Sequence, residues 1–477
     1  MATAARHSPA SRTTTPRSGP AGTSDSPARD SASGVVSGTP RGSGPGRPPG
    51  PSGPTGSPAS AGTADPAPGR GKRRRPGRAR GRTPGDGHPT AAAPGAEPGP
   101  VAGPVSVPLP PLRHFGPQWY AAVMGTASVA GAGTALGADG PHPAARPLLA
   151  AVWALAALLL VAVWAARAGH WRHHRDQARA HLLDPVVAPF YGCAAMAPLA
   201  VGMGALGPGR DVIGERAAVP VAAGLFALGC ALALTAAAVV PYLLIVRHRT
   251  PPGSASPVWL LPLVAPMVAA AFAPLLAVEL PPGDGRRTLL VASLGLAGAS
   301  ALATLVVLPA VVARLIHHGP LPLALTPSLF LFLGPLGQSA TAAGHLADAL
   351  PGRPYADVLT VLYGVPVTGF ALLWLVIAGA LVLRAVRRGL PFTLGWWAFT
   401  FPVGTCVTGA AGLAHRTGLG ALSAVAVALY GLLVTAWAVA GARTVRGLLS
   451  GSLLAGPPPV PGAPSPATAR TRSDSAR

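Results

Sequence analysis

From about residue 118 to residue 446 the sequence is built of Leu, Ala, Val and Gly, with its charged residues gathered into short clusters between apolar runs. An apolar helix needs roughly 20 residues to cross about 30 Å of hydrocarbon. The region divides into ten such stretches, near 118–137, 147–167, 185–206, 218–246, 257–280, 288–314, 322–346, 356–384, 393–414 and 418–442. The pattern therefore predicts an all-α membrane protein with ten transmembrane helices. Residues 1–112 follow another pattern, rich in Pro, Gly, Ser, Ala and Arg and almost without Leu, Ile, Phe or Trp. Too little apolar surface is present there to offset the entropy of ordering a chain. The expected organisation is a disordered cytoplasmic tail over 1–112, a membrane domain over 113–447 and a disordered C-terminal tail over 448–477.

The ten stretches alternate in kind. The even-numbered ones are smooth runs of Leu, Val and Ala, as expected of lipid-facing scaffold, while the odd-numbered ones are interrupted by Pro and Gly. In four odd stretches the prolines Pro198, Pro266, Pro335 and Pro402 recur at intervals of 68, 69 and 67 residues. One helical hairpin is thus the repeating unit. Five hairpins broken at one depth predict a quasi-fivefold ring around an axial pore, odd helices inside and even ones outside. The first helix has no matching proline, and Gly125, with Gly131, takes that place. A proline inside a helix removes one backbone hydrogen bond and frees a carbonyl four residues earlier, here those of Ala194, Pro262, Leu331 and Ala398. Such carbonyls are tolerated at membrane depth only if they are buried in protein or line a wet cavity.

The same register nominates a gate. The residues before the four prolines are Ala197, Ala265, Gly334 and Phe401, so Phe401 alone has a side chain large enough to block a lumen. Polar candidates for the lining are Thr126, Ser128, Gln338, Ser339, Thr341, Thr400, Thr405 and Thr408.

Charge adds orientation. Only 11% of the residues are charged, yet the net charge is +22; soluble domains carry about 25% charged residues, which excludes a single soluble globule. Loops after the even helices carry ten arginines (Arg167, Arg172, Arg175, Arg179, Arg247, Arg249, Arg314, Arg384, Arg387, Arg388) against two acids. The opposite loops carry seven arginines balanced by Asp139, Asp211, Glu215, Glu279, Asp284, Asp348 and Asp357. By the positive-inside rule both termini are cytoplasmic, and the expected location is the cell membrane. Arginines such as Arg172, Arg175 and Arg388 would raise the anion concentration at the cytoplasmic mouth. The basic run from Lys72 to Arg82 has no interleaved aromatic residue to stack on bases, so it reads as a lipid-associated tail and not as a nucleic-acid reader. No apolar segment follows Met1, and a cleaved secretory signal is not expected.

Candidate chemistry is sparse. Cys193, Cys230 and Cys406 have no paired spacing, and the pairs His173–His174 and His317–His318 sit beside arginines at helix ends, where solvation explains them. His345 and His415 lie near the outer helix ends, where interfacial hydrogen bonding accounts for them. No Walker A loop, HExxH, CxxC or GxSxG motif is present, so neither a metal, a cofactor nor an enzyme is expected. No Lys, Arg, Asp or Glu stands near a helix centre, which argues against an obligatory proton relay. Hydroxyls, amides and helix dipoles at the breaks can solvate an anion weakly, as conduction requires.

The stretches HFGPQWYAAVMGTASVAG (114–131), LFLGPLGQSATAAGHLA (331–347) and WWAFTFPVGTCVTGAAGLA (396–414) closely resemble the tellurite-resistance/dicarboxylate transporter family. That family includes TehA-like bacterial proteins, fungal malate and sulfite transporters and the slow anion channels of plant guard cells. The resemblance spans about 112–447 and implies five helical hairpins around a pore, usually as a homotrimer with one pore per subunit. It also implies that a phenylalanine of the ninth helix occludes the pore, and Phe401 is the matching residue. Three functions follow as expectations: a passive or gated pathway for small inorganic or organic anions; a proton-coupled C4-dicarboxylate or sulfite carrier; and a non-transporting membrane anchor whose basic tail recruits a partner.

Overall fold

The computed structural model of the chain describes residues 112–137, 144–248, 250–251, 253–350 and 354–454. The N-terminal tail, but for Leu112, and the C-terminal tail beyond Leu454 lie outside the described residues, as does Asp139. Among the described residues there is no strand. The helices are α1 (Tyr120–Ala135), α2 (Arg146–His173), α3 (Arg175–Leu183), α4 (Tyr191–Ala205), α5 (Arg210–Ile213), α6 (Glu215–Val246), α7 (Leu260–Val278), α8 (Asp284–His318), α9 (Leu333–Asp348), α10 (Pro354–Arg387), α11 (Phe401–Thr417) and α12 (Gly420–Leu449). Short 3-10 segments at Pro117–Trp119, Ala188–Phe190, Pro257–Trp259, Leu323–Phe332 and Leu394–Phe399 precede α1, α4, α7, α9 and α11.

Nine helical spans among the described residues are long and apolar enough to cross a membrane. The stretch expected to be the first span is not one of them: Pro117–Ala135 is long enough, but Gln118, Tyr120 and its Gly, Ser and Thr residues make it less apolar than the nine. The helix α12 runs to Leu449, two residues past the expected edge of the domain, because Leu448 and Leu449 continue its apolar pattern and Ser450 N–H still reaches the Arg446 carbonyl at 3.0 Å.

Burial separates the helices into two sets. The span through α7 is 89% buried, whereas those of α8 and α12 are 17% buried. Ile245, Val291, Val306 and Val376 on the exposed set stand more than half open. Such a surface suits hydrocarbon and would drive association in water. Each exposed helix packs on a buried neighbour in sequence: α2 on α1, α6 on α4, α8 on α7, α10 on α9, and α12 on α11. The buried helices touch in succession, α1 to α4, α4 to α7, α7 to α9 and α9 to α11, and α11 returns to α1. Small residues permit these approaches. A methyl at Gly337 of α9 would collide with the backbone of Thr405 and Cys406 in α11, and one at Gly192 of α4 with the backbone of Leu261 and Pro262 in α7.

The four periodic prolines occupy two kinds of position. Pro198 and Pro266 lie inside continuous α4 and α7. Pro335 and Pro402 instead stand in the first turn of α9 and α11, where a 3-10 segment gives way to α-helix. A missing N–H costs little there, since first-turn amides have no intrahelical partner. Gly125 leaves α1 unbroken and gives room to the Thr400 hydroxyl and the Trp397 ring. A further proline, Pro274, frees the Ala270 carbonyl inside α7, and Ser293 of α8 donates to that carbonyl at 2.7 Å.

Candidate functional site

The helices α1, α4, α7, α9 and α11 together border an open cavity of about 340 Å³. Its walls include Ser128 and Gly131 from α1, Met203 and Gly204 from α4, Val268 and Leu275 from α7, Gln338, Thr341 and His345 from α9, and Phe401, Gly404, Thr405 and Thr408 from α11. Towards the opposite end of the bundle lies a second cavity of about 20 Å³, lined by Met124, Met196, Leu260, Leu261, Val264, Leu331, Gly334, Phe401 and Pro402. Phe401 is common to both, and its residue is 5% exposed. The large space is partly polar, and the small one is lined by hydrocarbon, thioether and backbone.

A third chamber, of about 250 Å³, shares Ala135, Thr341, His345 and Thr408 with the first and adds His415 and Arg416. His345 is tied down, with Nδ1 2.8 Å from the Ala271 carbonyl. Arg416 is tied down too. Its guanidinium reaches Asp348, Asp357 (3.2 Å) and the carbonyls of Gly344 (2.7 Å) and Gly412 (3.2 Å). Glu279, a carboxylate on the wall of the large cavity, pairs with Arg210.

The polar candidates divide by the bonds they make. Ser128 donates to the Gly125 carbonyl (2.8 Å) and Thr405 to that of Pro402 (2.7 Å). Thr341 and Thr408 lie 2.7 Å apart and also reach the carbonyls of Gly337 and Thr405. These hydroxyls face the cavity with their protons committed. Gln338 is different: it is 3% exposed and lines the cavity, and among the described residues no hydrogen bond reaches its amide. A side-chain amide carries two N–H donors, so Gln338 holds uncommitted donors on this wall.

Three other candidates lie elsewhere. Thr126 donates to the Ala122 carbonyl and accepts from Trp437 Nε1 of α12 at 3.1 Å, so it joins α1 to the outer helix. Thr400 is fully buried, donates to the Trp397 carbonyl and packs on Gly125. Ser339 donates to the Leu336 carbonyl at 3.0 Å and is not among the cavity residues. The apolar layer of Met124, Met196, Leu260 and Leu331 beneath Phe401 is not marked by sequence reasoning, since large apolar residues in an apolar helix carry no polar or periodic signal.

The two ends of the bundle differ electrostatically. At the end bearing the large cavity, Arg146 pairs with Asp211 (2.9 Å), Arg210 with Glu215 and Glu279, Arg287 with Asp284 (3.8 Å), and Arg416 with Asp348 and Asp357. At the other end the ion pair among the described residues is Arg113–Asp176 (3.4 Å). Arg167, on that side, is 5% exposed and holds the Phe115 carbonyl (2.8 Å) and the Tyr191 hydroxyl (3.2 Å). No group of three or more His, Cys, Asp or Glu among the described residues could hold a metal ion.

Apolar spans with lipid-suited surfaces, wrapped around a cavity whose carboxylate is neutralised by a salt bridge, define a multi-pass membrane protein built around an internal cavity. A profile of the voltage-dependent anion channel family (SLAC1) matches residues 114–445, and the chain belongs to that family. Two uncharacterized transporters of Methanocaldococcus jannaschii are each 26% identical to it. One matches over 352 residues, 72% of this chain and 96% of the relative; the other matches over 349 residues, 72% and 97%. The sulfite efflux pump SSU1 of Trichophyton rubrum is 31% identical over 198 residues, which is 39% of this chain and 52% of that protein. The family and these relatives are transporters or channels, not enzymes.

Proposed function

We propose that the chain is a conduit for small anions, with a pathway along the axis of the bundle that Phe401 closes. In this reading ten helices, α3 and α5 set aside, form five hairpins in a quasi-fivefold ring. The closed order of contacts among α1, α4, α7, α9 and α11 supports it. The observation that carries the gate is that Phe401 forms a wall of both the large, partly polar cavity and the small apolar one. Gly125, Pro198, Pro266, Pro335 and Pro402 keep the role of weak points around the pathway, the last two as sites where 3-10 backbone turns into helix. Ser128, Gln338, Thr341 and Thr405 line the route, with Gln338 as the anion's donor. The bundle sits in the cell membrane with both termini cytoplasmic, and by family resemblance three copies assemble, each with its own pathway.

Replacing Phe401 by Ala tests the gate. An apolar constriction that dewets holds back ions, and widening it lets water in. Anion conductance of the reconstituted Phe401→Ala protein should rise severalfold at unchanged expression. A mutant no more conductive than a conducting parent overturns the gate.

The likeness to fungal sulfite efflux pumps makes sulfite the first anion to test and keeps the carrier reading in view. Uncoupled current that follows the anion gradient alone supports the conduit. Saturable sulfite or C4-dicarboxylate flux that collapses an imposed pH gradient transfers the assignment to a proton-coupled carrier.

A further inference from the structure

Where α2 ends, the backbone of His174 leaves helical geometry (φ −134°, ψ 52°) and the chain restarts as α3. Ala178 and His181 of α3 are buried, and the His181 ring stacks on that of His170 at 5.3 Å. Arg175 and Arg179, one turn apart, are left outward and exposed. With Trp171 and Arg172 from the last turn of α2 they line an open cleft of about 410 Å³ to which no other described residue contributes. Trp171 is 39% exposed.

These three guanidiniums have no carboxylate partner among the described residues. The two nearby acids are engaged elsewhere: Asp176 pairs with Arg113 (3.4 Å), and Asp184 accepts from the N–H groups of Val186 (2.8 Å) and Val187 (3.4 Å). Three positive charges converging without an acid call for a multivalent oxyanion, and the planar fork of arginine matches phosphate bidentately. The depth identifies its carrier. The cleft begins at the final turn of a membrane span, the level of lipid headgroups, and an exposed indole there is the side chain that lies between headgroup and acyl chain.

We propose that this cleft binds the phosphate of an anionic phospholipid, its headgroup held by Arg172, Arg175 and Arg179 and its glycerol region resting on Trp171. The occupied cleft fixes α3 against the membrane surface. The site is separate from the cavity walled by Phe401, so it stands or falls independently of the conduction reading.

The full-length protein in nanodiscs, with phosphatidylglycerol titrated into phosphatidylcholine, provides the test by native mass spectrometry. Retention of phosphatidylglycerol should weaken roughly tenfold or more in R172Q/R175Q/R179Q. It should persist in R384Q/R387Q/R388Q, which removes as much charge from the end of α10. In the parent, brominated phosphatidylglycerol should quench a fraction of tryptophan emission that Trp171→Phe loses, a readout that does not need the arginine variants to fold. Equal losses in both triple variants would reduce the effect to a diffuse surface charge and overturn the site. So would unchanged retention in R172Q/R175Q/R179Q. Inorganic phosphate binding that requires these arginines, with no retained phosphatidylglycerol, would overturn the lipid assignment in favour of a free anion.

Discussion

Gln338 illustrates how a polar residue in a membrane helix acquires a task. The neighbouring hydroxyls of Thr341, Thr405 and Thr408 spend their protons on carbonyls or on one another, and present mostly lone pairs to the cavity, which an anion avoids. Gln338 keeps its N–H groups. A hydrogen bond to a charged group is worth about 1.5–3 kcal/mol, so Gln338→Leu should lower anion flux by roughly tenfold or more. Measured in a Phe401→Ala background, flux equal to that of the single mutant would remove Gln338 from the pathway. The register of prolines singles out Phe401 in the sequence because its three counterparts, Ala197, Ala265 and Gly334, are all small. Thr126 and Thr400 read equally well as lining residues and yet turn to Trp437 and Trp397. Every face of a buried helix is apolar enough to conceal which one meets the cavity, and composition cannot separate a lumen-facing threonine from one that ties two helices together.

At the scale of helices, the alternation of smooth and interrupted stretches is written plainly in the sequence, because burial inside protein permits Pro and Gly that lipid-facing backbone does not tolerate. Less legible is where the 3-10 segments end, since a proline marks a break without saying whether helix lies on both sides of it. Ser293 shows how the outer set repairs the inner one: its hydroxyl replaces the N–H that Pro274 lacks. Ser293→Ala would strand the buried Ala270 carbonyl at a cost of about 1–3 kcal/mol. A lower unfolding temperature in detergent, with the anion selectivity of the surviving protein unchanged, is the expected result. The short α3 adds a pH dependence. Burial, reinforced by His170 and Arg167, lowers the His181 ring from the usual 6.5 to about 4. Facing it are also His114 and Asp184, the latter opposing the shift, with His174 beside His170. The seated ring is neutral and the released ring takes a proton more readily. The docking of α3 is therefore at full strength above about pH 6.5 and weakens as pH falls towards 4. Amide exchange in 175–183, corrected for intrinsic rate, should accelerate over that interval, and His181→Phe should flatten the change.

For the whole molecule, counting charges hides how they are used. The balance of arginines and acids at one end is a set of ion pairs joining consecutive hairpins: Arg146 to Asp211, Arg210 to Glu279 and Arg416 to Asp348 link residues 65 to 69 positions apart, about one hairpin along the chain. That end is fastened and nearly neutral. The opposite end keeps Arg172, Arg175, Arg179, Arg384, Arg387 and Arg388 free of carboxylates among the described residues. Helix placement and charge asymmetry could be read from the sequence because both follow from one-dimensional patterns, whereas the partners of individual arginines depend on how the hairpins are arranged in space.

The apolar layer under Phe401 has a bearing on cellular energetics. Protons cross membranes along unbroken files of water or hydrogen-bonding groups, and the side chains of Met124, Met196, Leu260, Leu331 and Phe401 supply no such step. On the conduit reading, a shut copy is therefore as tight to hydronium as to larger ions. A respiring cell could carry many copies in its energised bilayer and spend none of its proton-motive force on them until the phenylalanine moves aside.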